Sequence, residues 1–374
     1  MVMHRLLAQQ IRQNEPLPWN VYDESSTLLL RKGFVVDKHI HLPDLIERGM
    51  YIELGSVRHS LRELENHQAF FDPWRLWGDI QTKLGQILGE PPASNAFIEQ
   101  VEELAALVQL LSERSADIAL AAIMLMDQGR YPIVHSLHCA VLADLVARRL
   151  EWAPQKRKSL CCAALTMNIA MLDLQQVLCN QAEPLTEEQQ RGIRSHPEQG
   201  FLMLHSLGVR DLDWLQTVME HHEQLNGEGY PRGLTAPSAL ALLLRTVDIY
   251  CAKISPRAHR KPMLASDASR IVFTSEGQDD KNPFPACLIS QVGMFPPGSF
   301  VKLNNGETGV VFKRGESANT PVVYSLINSS GHAIRDPIKR DTRETQYQVQ
   351  VMIPRNNIML KFDPRIIWRS NFQF

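Results

Sequence analysis

The sequence predicts a mainly α-helical protein, in which a central all-helical domain lies between a small mixed α/β module and a small β-rich module. Three observations support this prediction. Apolar residues repeat at three- and four-residue steps from position 74 to about 272, short strand-like runs precede that stretch, and alternating runs separated by turn residues follow it. A chain of 374 residues is long for one hydrophobic core, so we expect separate modules at 1–60, 74–272 and 290–374.

The N-terminal module is expected to combine two short strands with one helix. Residues 27–30 and 34–36 are strand-like, and the turn residues at 31–33 lie between them. A helix is predicted to begin at Pro43 and to end at Gly49, a residue type that commonly stops helices. We find no residues in this module whose chemistry indicates a function.

The central stretch has the periodicity of packed helices. One apolar face is formed by Phe97, Val101, Leu104, Val108 and Leu111, and another is formed by Leu137, Val141 and Leu145. Thr186 and Gln189 have the spacing of a capping box, which predicts the start of the helix that carries His196. Residues 237–254 are rich in leucine and predict a further, buried helix.

The C-terminal part has the pattern of a small sheet. Residues 275–285, SEGQDDKNPFP, are typical of a solvated connector. An Asn-Gly turn at 304–306 predicts a hairpin between strands at 299–303 and 308–313. A further strand is predicted from the alternation of Tyr347, Val349, Val351 and Ile353. The aromatic residues of this part are expected in its core: Phe295, Phe300 and Phe312.

The composition indicates an ordinary globular protein and gives no sign of a nucleic-acid or membrane partner. The formal net charge is -2, and hydrophobic residues make up 44% of the chain. The apolar stretches fall short of the roughly 18 to 20 residues that cross a bilayer, and the first residues contain no apolar signal core. The six cysteines show no CxxC spacing, which favours free thiols. We therefore expect a cytoplasmic protein.

The strongest local signal is the string HHEQLNGEGYPRGL at 221–234. The two adjacent histidines that begin it can reach one metal ion only if a helix ends there. Gly227 and Gly229 then allow the backbone to turn sharply and to approach a ligand closely. Tyr230 and Pro231 offer a flat surface and a fixed turn beside that metal site.

This string closely resembles the GYP signature of the HD-GYP family, which are cyclic di-GMP phosphodiesterases with a centre of two or three metal ions. The segment SHPEQG resembles the family's HPxxG segment, and the aspartate of TVDIY and the first histidine of HSLHCA resemble further metal-binding positions. The resemblance covers roughly residues 130–260. It implies the following metal ligands: His135, His196, His221, His222 and Asp248.

The sequence departs from the family at the HD dyad. Met167 and Asn168 stand where the resemblance places the dyad histidine and aspartate, and Met171 stands in place of a lysine. A histidine ligand, a metal-bridging carboxylate and a phosphate-binding ammonium group are therefore missing. Met167 and Met171 are expected to lie on one helix face and to fill this space with apolar groups.

The remaining ligands imply a reduced metal centre. The metal that the dyad would hold keeps only His135 and Asp248, which are too few to hold a divalent cation against water. The other metal keeps three histidines, and three imidazoles with water form a reasonable site. We expect at most one divalent transition metal, and the sequence does not distinguish iron, manganese, zinc and nickel. The paired metals that hydrolyse phosphodiesters are not expected.

The resemblance also implies a ligand pocket. Arg257 and Arg260 occupy positions where the family has two basic residues that bind phosphate. Tyr131 stands where metal-rich members carry a glutamate, which weakens the match. The pocket itself is expected at four residues of the GYP string: Gly227, Gly229, Tyr230 and Pro231.

Three functions remain open. The first is a degenerate HD-GYP protein that binds cyclic di-GMP, or docks on the diguanylate cyclases (GGDEF proteins) that make it, with little or no hydrolysis. The second is a metal-dependent phosphodiesterase that works from a reduced metal centre. The third is a protein-interaction adaptor without a ligand. The missing dyad favours the first and third functions over the second, and the intact GYP string favours the first over the third.

Overall fold

The structure is a computed structural model of the chain. It describes residues 3–5, 20–23, 27–31, 34–35, 51–53, 71–126, 128–258, 260–276, 282–360 and 362–368. The chain divides into two units, which comprise residues 1–72 and residues 73–373.

The described part of the first unit forms a four-stranded antiparallel sheet. Its strands are β1 (Met3–Arg5), β2 (Val21–Tyr22), β3 (Leu28–Leu30) and β4 (Tyr51–Glu53), in the order β1-β4-β2-β3. Strand β3 confirms the strand predicted at 27–30. In the second predicted strand Val35 forms an isolated bridge, whereas residue 36 and the helix predicted at 43–49 lie outside the described residues.

The second unit consists of helices followed by a sheet, as the sequence predicts. Its first helices are α1 (Pro73–Gly89), α2 (Ser94–Arg114), α3 (Ala116–Leu125), α4 (Tyr131–Arg149), α5 (Pro154–Thr166), α6 (Leu172–Asn180), α7 (Glu187–Ser206), α8 (Leu212–Glu220), α9 (Ala239–Ile254), α10 (Ala265–Glu276) and α11 (Phe284–Val292). The predicted apolar face of α2 is confirmed, because all five of its residues from Phe97 to Leu111 are fully buried. Helix α9 confirms the helix predicted at 237–254.

Helix α4 lies at the centre of the helical part. Every residue from Tyr131 to Ala147 is buried, since α1, α2, α3, α5, α6, α9 and α11 all pack against this helix. Most side chains of the stretch are small or apolar, which is typical of a helix that is enclosed on all sides. The few polar side chains on α4 are therefore held in fixed surroundings.

Polar caps set the starts of the three helices that carry most candidate ligands. The capping box predicted at the start of α7 is confirmed: the Thr186 hydroxyl accepts a hydrogen bond from Gln189 N, and the Gln189 side chain accepts one from Thr186 N. Asp211 and Ser238 accept hydrogen bonds from backbone N–H groups in the first turns of α8 and α9. These caps fix where each helix begins.

The expectation that Met167 and Met171 share one helix face is wrong. Helix α5 ends at Thr166, and Ile169–Met171 forms a 3-10 turn before α6 begins. Because the chain leaves the α-helical path between the two methionines, their four-residue spacing does not place them on one α-helical stripe. Both side chains are buried, as expected.

One helical stretch of the described residues, Pro154–Asn180, is long and apolar enough to cross a membrane by length and composition alone. It comprises α5, the 3-10 turn and α6. In its most apolar window 67% of the residues are buried inside the protein. Such burial is typical of the core of a folded domain.

The sheet of the second unit has five antiparallel strands in the order β8-β7-β6-β5-β9. They are β5 (Phe300–Leu303), β6 (Thr308–Lys313), β7 (Val322–Ile327), β8 (Ala333–Asp341) and β9 (Val349–Ile353). The predicted Asn-Gly hairpin is confirmed as β5 and β6. The core of the sheet is formed by Val301, Leu303, Val311 and Val323.

The predicted alternation of β9 is wrong in its second half. Val351 is 50% exposed, whereas Met352 is buried. A bulge causes the difference, because the register shifts between Lys302 and Leu303 of β5 and leaves Gln350 without a partner there. An extra residue in one strand moves the following side chains to the opposite face.

The connector predicted at 275–285 is partly helical, since α10 extends to Glu276 and α11 begins at Phe284. The aromatic residues predicted in the core of the C-terminal part are buried or pack against the sheet core: Phe295, Phe300 and Phe312. A last helix, α12 (Pro364–Trp368), follows the sheet. The Trp368 indole donates to the Phe312 carbonyl oxygen, and its ring centroid lies 5.3 Å from that of Trp74 on α1.

Candidate metal centre

Three histidines lie close together where α8 ends beside α7. His196 is on α7, His221 is the C-terminal cap of α8, and His222 follows it. Their ligand atoms all lie within 4.8 Å of one another, and the Nε2 atoms of His196 and His221 are 3.2 Å apart. The end of α8 at this point is what the adjacent histidines predict. We call these residues the three-histidine cluster.

Hydrogen bonds to the backbone fix the proton positions of two of these rings. The Nδ1 atoms of His196 and His221 lie 2.6 Å and 2.7 Å from the carbonyl oxygens of Ile193 and Val218. A carbonyl oxygen only accepts hydrogen bonds, so each Nδ1 carries the proton and each Nε2 keeps a free lone pair. Two lone pairs that face each other repel, and a cation between them removes that repulsion. The donor set therefore fits a metal ion.

Burial keeps these imidazoles neutral, which is the form that binds metals. Loss of hydration, together with the neighbouring His221, lowers the pKa of His196 to about 3. Burial also lowers the pKa of His221. For His222, burial and then the two neighbouring histidines lower the pKa well below its ordinary value.

A second cluster contains His135 and Cys139 of α4 and Asp248 of α9. His135 Nε2 lies 2.7 Å from Asp248 Oδ1 and 3.7 Å from Cys139 Sγ. On the other side of the ring, Nδ1 lies 3.5 Å from the hydroxyl of Tyr131, which accepts a hydrogen bond of 3.0 Å from Arg257. The four-residue spacing of the three α4 residues places them on one face of that helix.

The hydrogen bonds of this second cluster run in one direction. Arg257 has only donors, so the Tyr131 oxygen accepts and its own proton is free to point to His135 Nδ1. His135 Nε2 then carries the ring's proton and donates a hydrogen bond to Asp248. The nitrogen that faces the carboxylate has no free lone pair in this tautomer, in contrast to the three-histidine cluster.

Asp248 connects the two clusters electrostatically. Burial alone would raise the pKa of its carboxyl group. The hydrogen bond from His135 outweighs burial and holds that pKa below its ordinary value. Asp248 is therefore ionised at neutral pH and favours positive charge beside it.

The positions at which the family's dyad and lysine are expected lie between α5 and α6. Met167 is fully buried, Asn168 is 4% exposed and Met171 is 9% exposed. Within the part of the chain that the structure describes, the Asn168 side chain forms no hydrogen bond. The turn packs on α7, because a Cβ added to Gly200 would lie 3.7 Å from the Met167 carbonyl oxygen. The dyad positions thus lie against the helix that carries His196.

Two buried glutamates hold the loop that follows α8. Glu223 accepts hydrogen bonds from the N–H groups of Arg232 (2.6 Å) and Leu234 (2.9 Å), and Glu220 accepts one from Ser238 N (2.8 Å). Bonds of this kind, with a charged acceptor, are stronger than neutral ones. The sequence pattern gives neither glutamate a role, although Glu223 directly follows the paired histidines.

The two glycines expected in the ligand pocket have different reasons to be glycine. Gly227 has a φ of 76°, in the left-handed region that glycine adopts most readily. A Cβ on Gly229 would lie 2.5 Å from Glu223 Cα and from Gln224 N, so no side chain fits there. The loop can fold back on the end of α8 only because both positions lack a side chain.

This fold-back places the Tyr230 ring against the three-histidine cluster. Its centroid lies 4.6 Å from that of His222, and the two rings are stacked. The following peptide bond, between Tyr230 and Pro231, is cis. Tyr230 and Pro231 thus lie beside the candidate metal site, as the sequence predicts.

The two arginines expected to bind phosphate have different surroundings. Arg257 reaches the second cluster through Tyr131, and its guanidinium carbon lies 5.5 Å from the Tyr131 ring centroid. Arg260 instead donates to the carbonyl oxygen of Ala252 at 2.6 Å, near the end of α9. Arg257 is therefore linked to His135 through the Tyr131 hydroxyl, whereas the Arg260 guanidinium donates to the backbone of α9.

These features agree with comparisons to known proteins. A family model described as HD domain matches residues 92–280, just over half of the chain. The chain belongs to the HD-domain family. HD-domain phosphohydrolases are metal-dependent, and both clusters of this chain lie within the matched residues.

The curated relatives are named as phosphodiesterases of cyclic dinucleotides. The cyclic di-GMP phosphodiesterase PA4108 of Pseudomonas aeruginosa is 30% identical over 247 residues, 64% of this chain and 57% of that protein. The cyclic di-GMP phosphodiesterase PdeB of Borreliella burgdorferi is 26% identical over 206 residues, 54% of each protein. The 3'3'-cGAMP-specific phosphodiesterase 3 of Vibrio cholerae is 30% identical over 145 residues, 38% of this chain and 31% of that protein. The chain thus spans little more than half the length of these relatives, or less.

A solved structure supports the fold. Bd1817, a HDG"Y"P protein from Bdellovibrio bacteriovorus, aligns with a TM-score of 0.51 at 16% identity, covering 77% of this chain and 99% of that chain. At this identity the likeness concerns the fold alone. With the family match, it confirms a mainly helical HD-type fold that carries a small C-terminal sheet. The names of the relatives support the resemblance to HD-GYP proteins.

Proposed function

We propose that this protein binds a cyclic dinucleotide at a centre of one metal ion held by the three-histidine cluster, and that it hydrolyses this ligand little or not at all. The observation that carries the proposal is the difference in tautomers. His196 and His221 direct free Nε2 lone pairs to a common point, whereas the Nε2–H group of His135 donates a hydrogen bond to Asp248. The names of the relatives support cyclic di-GMP as the first ligand to test.

A divalent transition metal bound by the three imidazoles would supply a positive charge that attracts phosphate oxygens. Iron, manganese, zinc and nickel all accept imidazole ligands. The chain's own residues then orient the ligand. Tyr230 provides an aromatic surface for a base or ribose beside His222, and Arg257 provides a second positive charge for a phosphate.

The low turnover that we propose follows from the residues between α5 and α6. The resemblance places a histidine ligand and a metal-bridging carboxylate at Met167 and Asn168. A thioether in a buried, apolar position and a neutral amide are poor replacements for these groups. The paired metals on which the family's hydrolysis depends would therefore not be held together.

A slow phosphodiesterase is the second candidate, and one observation favours it. The second cluster brings His135, Cys139 and Asp248 close enough together for a further metal ion. Docking on diguanylate cyclases (GGDEF proteins), a cytoplasmic location and modules at 1–60, 74–272 and 290–374 remain expectations from the sequence.

Two measurements on the metal-loaded full-length chain test the proposal. Calorimetry with cyclic di-GMP is expected to show micromolar binding, and chromatography of the same mixture is expected to show almost no linear product. Robust turnover would favour the phosphodiesterase. The absence of both heat and a thermal shift at millimolar ligand would favour an adaptor without a ligand.

A further inference from the structure

A cavity of about 380 Å³ lies between the helical part of the second unit and its sheet. Its walls come from α3, α4, α6, the chain that follows α9, and the sheet segments at 298–300 and 353–355. The volume falls within the range of small-molecule sites, about 300 to 1,000 Å³. On α4 it is lined by Tyr131, Val134 and His138. Tyr131 belongs to the helix face that carries His135 and Cys139, and the other two residues lie beside that face.

The sheet forms a fixed wall of this cavity. Gly298 packs so closely on α3 that an added Cβ would lie 2.9 Å from the Cα and the carbonyl oxygen of Ala121. Arg314 forms an ion pair of 2.6 Å with Asp117 of α3 and donates to the carbonyl oxygen of Gln291 at 2.8 Å. The helices and the sheet therefore hold the cavity in place before a ligand binds. This lowers the free-energy cost of ordering these segments on binding.

Three residues that line the cavity carry buried polar atoms without a hydrogen-bond partner among the described residues. They are His138 at both ring nitrogens, Arg257 at Nε and Ser299 at Oγ. The three residues come from separate segments: α4, the chain after α9, and the start of the sheet. Buried polar atoms normally have partners, so a cluster of unpaired ones around a cavity indicates a site for a polar group.

The charges and the apolar surface of the cavity define the ligand class. Arg257 and Arg355 line it, and no aspartate or glutamate does so among the described residues. A guanidinium group suits carboxylate and phosphate oxygens. Much of the remaining wall is apolar and includes Ile123, Ile254, Leu264, Phe300 and Ile353. Such a wall favours a ligand with an apolar body.

We propose that this cavity binds a small organic anion, in which a carboxylate or phosphate group is carried on an apolar body. Arg257 holds the anionic group, and Ser299 and His138 line the same cavity. Arg257 also donates to Tyr131 beside His135, so the bound anion competes for a guanidinium that contacts the second cluster. The C-terminal sheet thereby gains a role as one wall of an input site beside the metal centre, and its ligand would compete with the cyclic dinucleotide for Arg257.

Calorimetry with naphthoate on the full-length, metal-loaded protein tests this site. Naphthamide has nearly the same shape and no charge, and it serves as the matched compound. Naphthoate is expected to bind at submillimolar concentration. Naphthamide is expected to bind about 10- to 100-fold more weakly, because it loses charge-assisted hydrogen bonds to arginine.

Two variants locate the binding, each with a matched control. Arg257→Gln is expected to remove the preference for naphthoate over naphthamide, whereas Arg270→Gln changes an exposed arginine on α10 outside the cavity and is expected to keep it. Ala258→Trp adds a large side chain at an exposed position on the rim and is expected to block both compounds. Ala333→Trp, at an exposed position on β8, which is the edge strand opposite the cavity-lining β9, is expected to block neither.

The proposal is overturned if both compounds bind equally, if each variant behaves as its control does, or if naphthoate produces no heat at millimolar concentration. Circular dichroism of each variant confirms that it is folded. No cyclic dinucleotide takes part in this experiment. Its failure would leave the proposed metal-centre function standing, and failure of cyclic di-GMP binding would leave this proposal standing.

Discussion

The two clusters of candidate metal ligands are neighbours, yet their imidazole protons point in different directions. In the three-histidine cluster the Nδ1 protons of His196 and His221 go to backbone carbonyl oxygens, and the two Nε2 atoms face each other at 3.2 Å. In the second cluster the Nε2 proton of His135 goes to Asp248 at 2.7 Å. A carbonyl oxygen that accepts from Nδ1 leaves the Nε2 lone pair free for a metal ion. A carboxylate that accepts from Nε2 occupies the nitrogen that would bind the metal.

The two clusters also differ in what supports them. The loop after α8 is closed by the buried carboxylates of Glu220 and Glu223, and it stacks Tyr230 on His222. The second cluster is bordered by a hydrogen-bond chain that ends at Arg257. The number of histidines therefore does not define a metal site. The partner of the second ring nitrogen decides which histidines are prepared for a metal.

The largest expected effect concerns turnover. Metal-loaded protein is expected to hydrolyse cyclic di-GMP more than about 100-fold more slowly than an HD-GYP protein with an intact dyad, since loss of groups outside the ligand shell already costs about 10- to 100-fold. Product formation followed by chromatography measures this rate. Fast turnover that His221→Ala abolishes would show that the residues at 167 and 168 matter less than we propose.

Restoring the dyad tests whether its loss is what limits metal binding and turnover. The triple variant Met167→His, Asn168→Asp and Met171→Lys is expected to bind a second metal ion and to gain measurable hydrolysis. The variant Met171→Lys alone is the control, because it adds the ammonium group without a metal ligand. If the triple variant folds, binds one metal ion and gains no turnover, then the residues at 167 and 168 are not what prevents the second cluster from binding a metal ion.

The next effect separates the two clusters by metal affinity. His221→Ala removes a ligand of the three-histidine cluster and is expected to lower the affinity for metal by more than about 100-fold. His135→Ala, the matched change in the second cluster, is expected to change that affinity by less than about tenfold. Competition with a chromogenic chelator measures both affinities. Equal losses of affinity in the two variants would contradict the proposal that the three-histidine cluster binds the metal ion and the second cluster does not.

A smaller effect is expected for phosphate binding by the two arginines. Arg257→Ala is expected to weaken cyclic di-GMP binding by roughly 10- to 100-fold, the value of one charge-assisted hydrogen bond of about 1.5 to 3 kcal/mol. Arg260→Ala is expected to weaken it less, because that guanidinium donates to the Ala252 carbonyl oxygen. Calorimetry on both variants provides the test, and a larger loss for Arg260→Ala would reverse the assignment.

The smallest expected effect concerns the loop that supports the three-histidine cluster. Gly229→Ala is expected to lower the thermal unfolding temperature by several degrees, since its Cβ would overlap Glu223 Cα at 2.5 Å. Gly78→Ala on α1 is the control: nothing lies within 4 Å of the added Cβ, and a helix gains about 0.5 to 1 kcal/mol from this change. An unchanged unfolding temperature in Gly229→Ala would contradict the close packing of position 229 against Glu223.

Local patterns in the sequence predicted most of the helical fold. The capping box at Thr186 and the apolar face that begins at Phe97 depend on residues within a few turns, and both are confirmed. The bulge in β9 and the 3-10 turn after α5 were missed. Both arise where one segment adjusts to its neighbours, a tertiary effect that alternation and four-residue spacing do not contain.

The candidate site was predictable in its residues and less so in its contacts. The sequence pointed to His196, His221 and His222, and the structure brings them together. The hydrogen bond between Arg257 and Tyr131 joins residues 126 positions apart, so no local pattern signals it. Ring tautomers likewise depend on backbone carbonyl groups whose positions follow only from the folded helices.

The number of metal ions bound per chain shows whether the three-histidine cluster holds a single metal ion. Elemental analysis of freshly purified full-length protein, compared with its measured concentration, gives this number. We expect one transition metal per chain in the wild type, lost in His221→Ala and kept in His135→Ala. Two or more metals per wild-type chain, or one that is lost only in His135→Ala, would contradict the account.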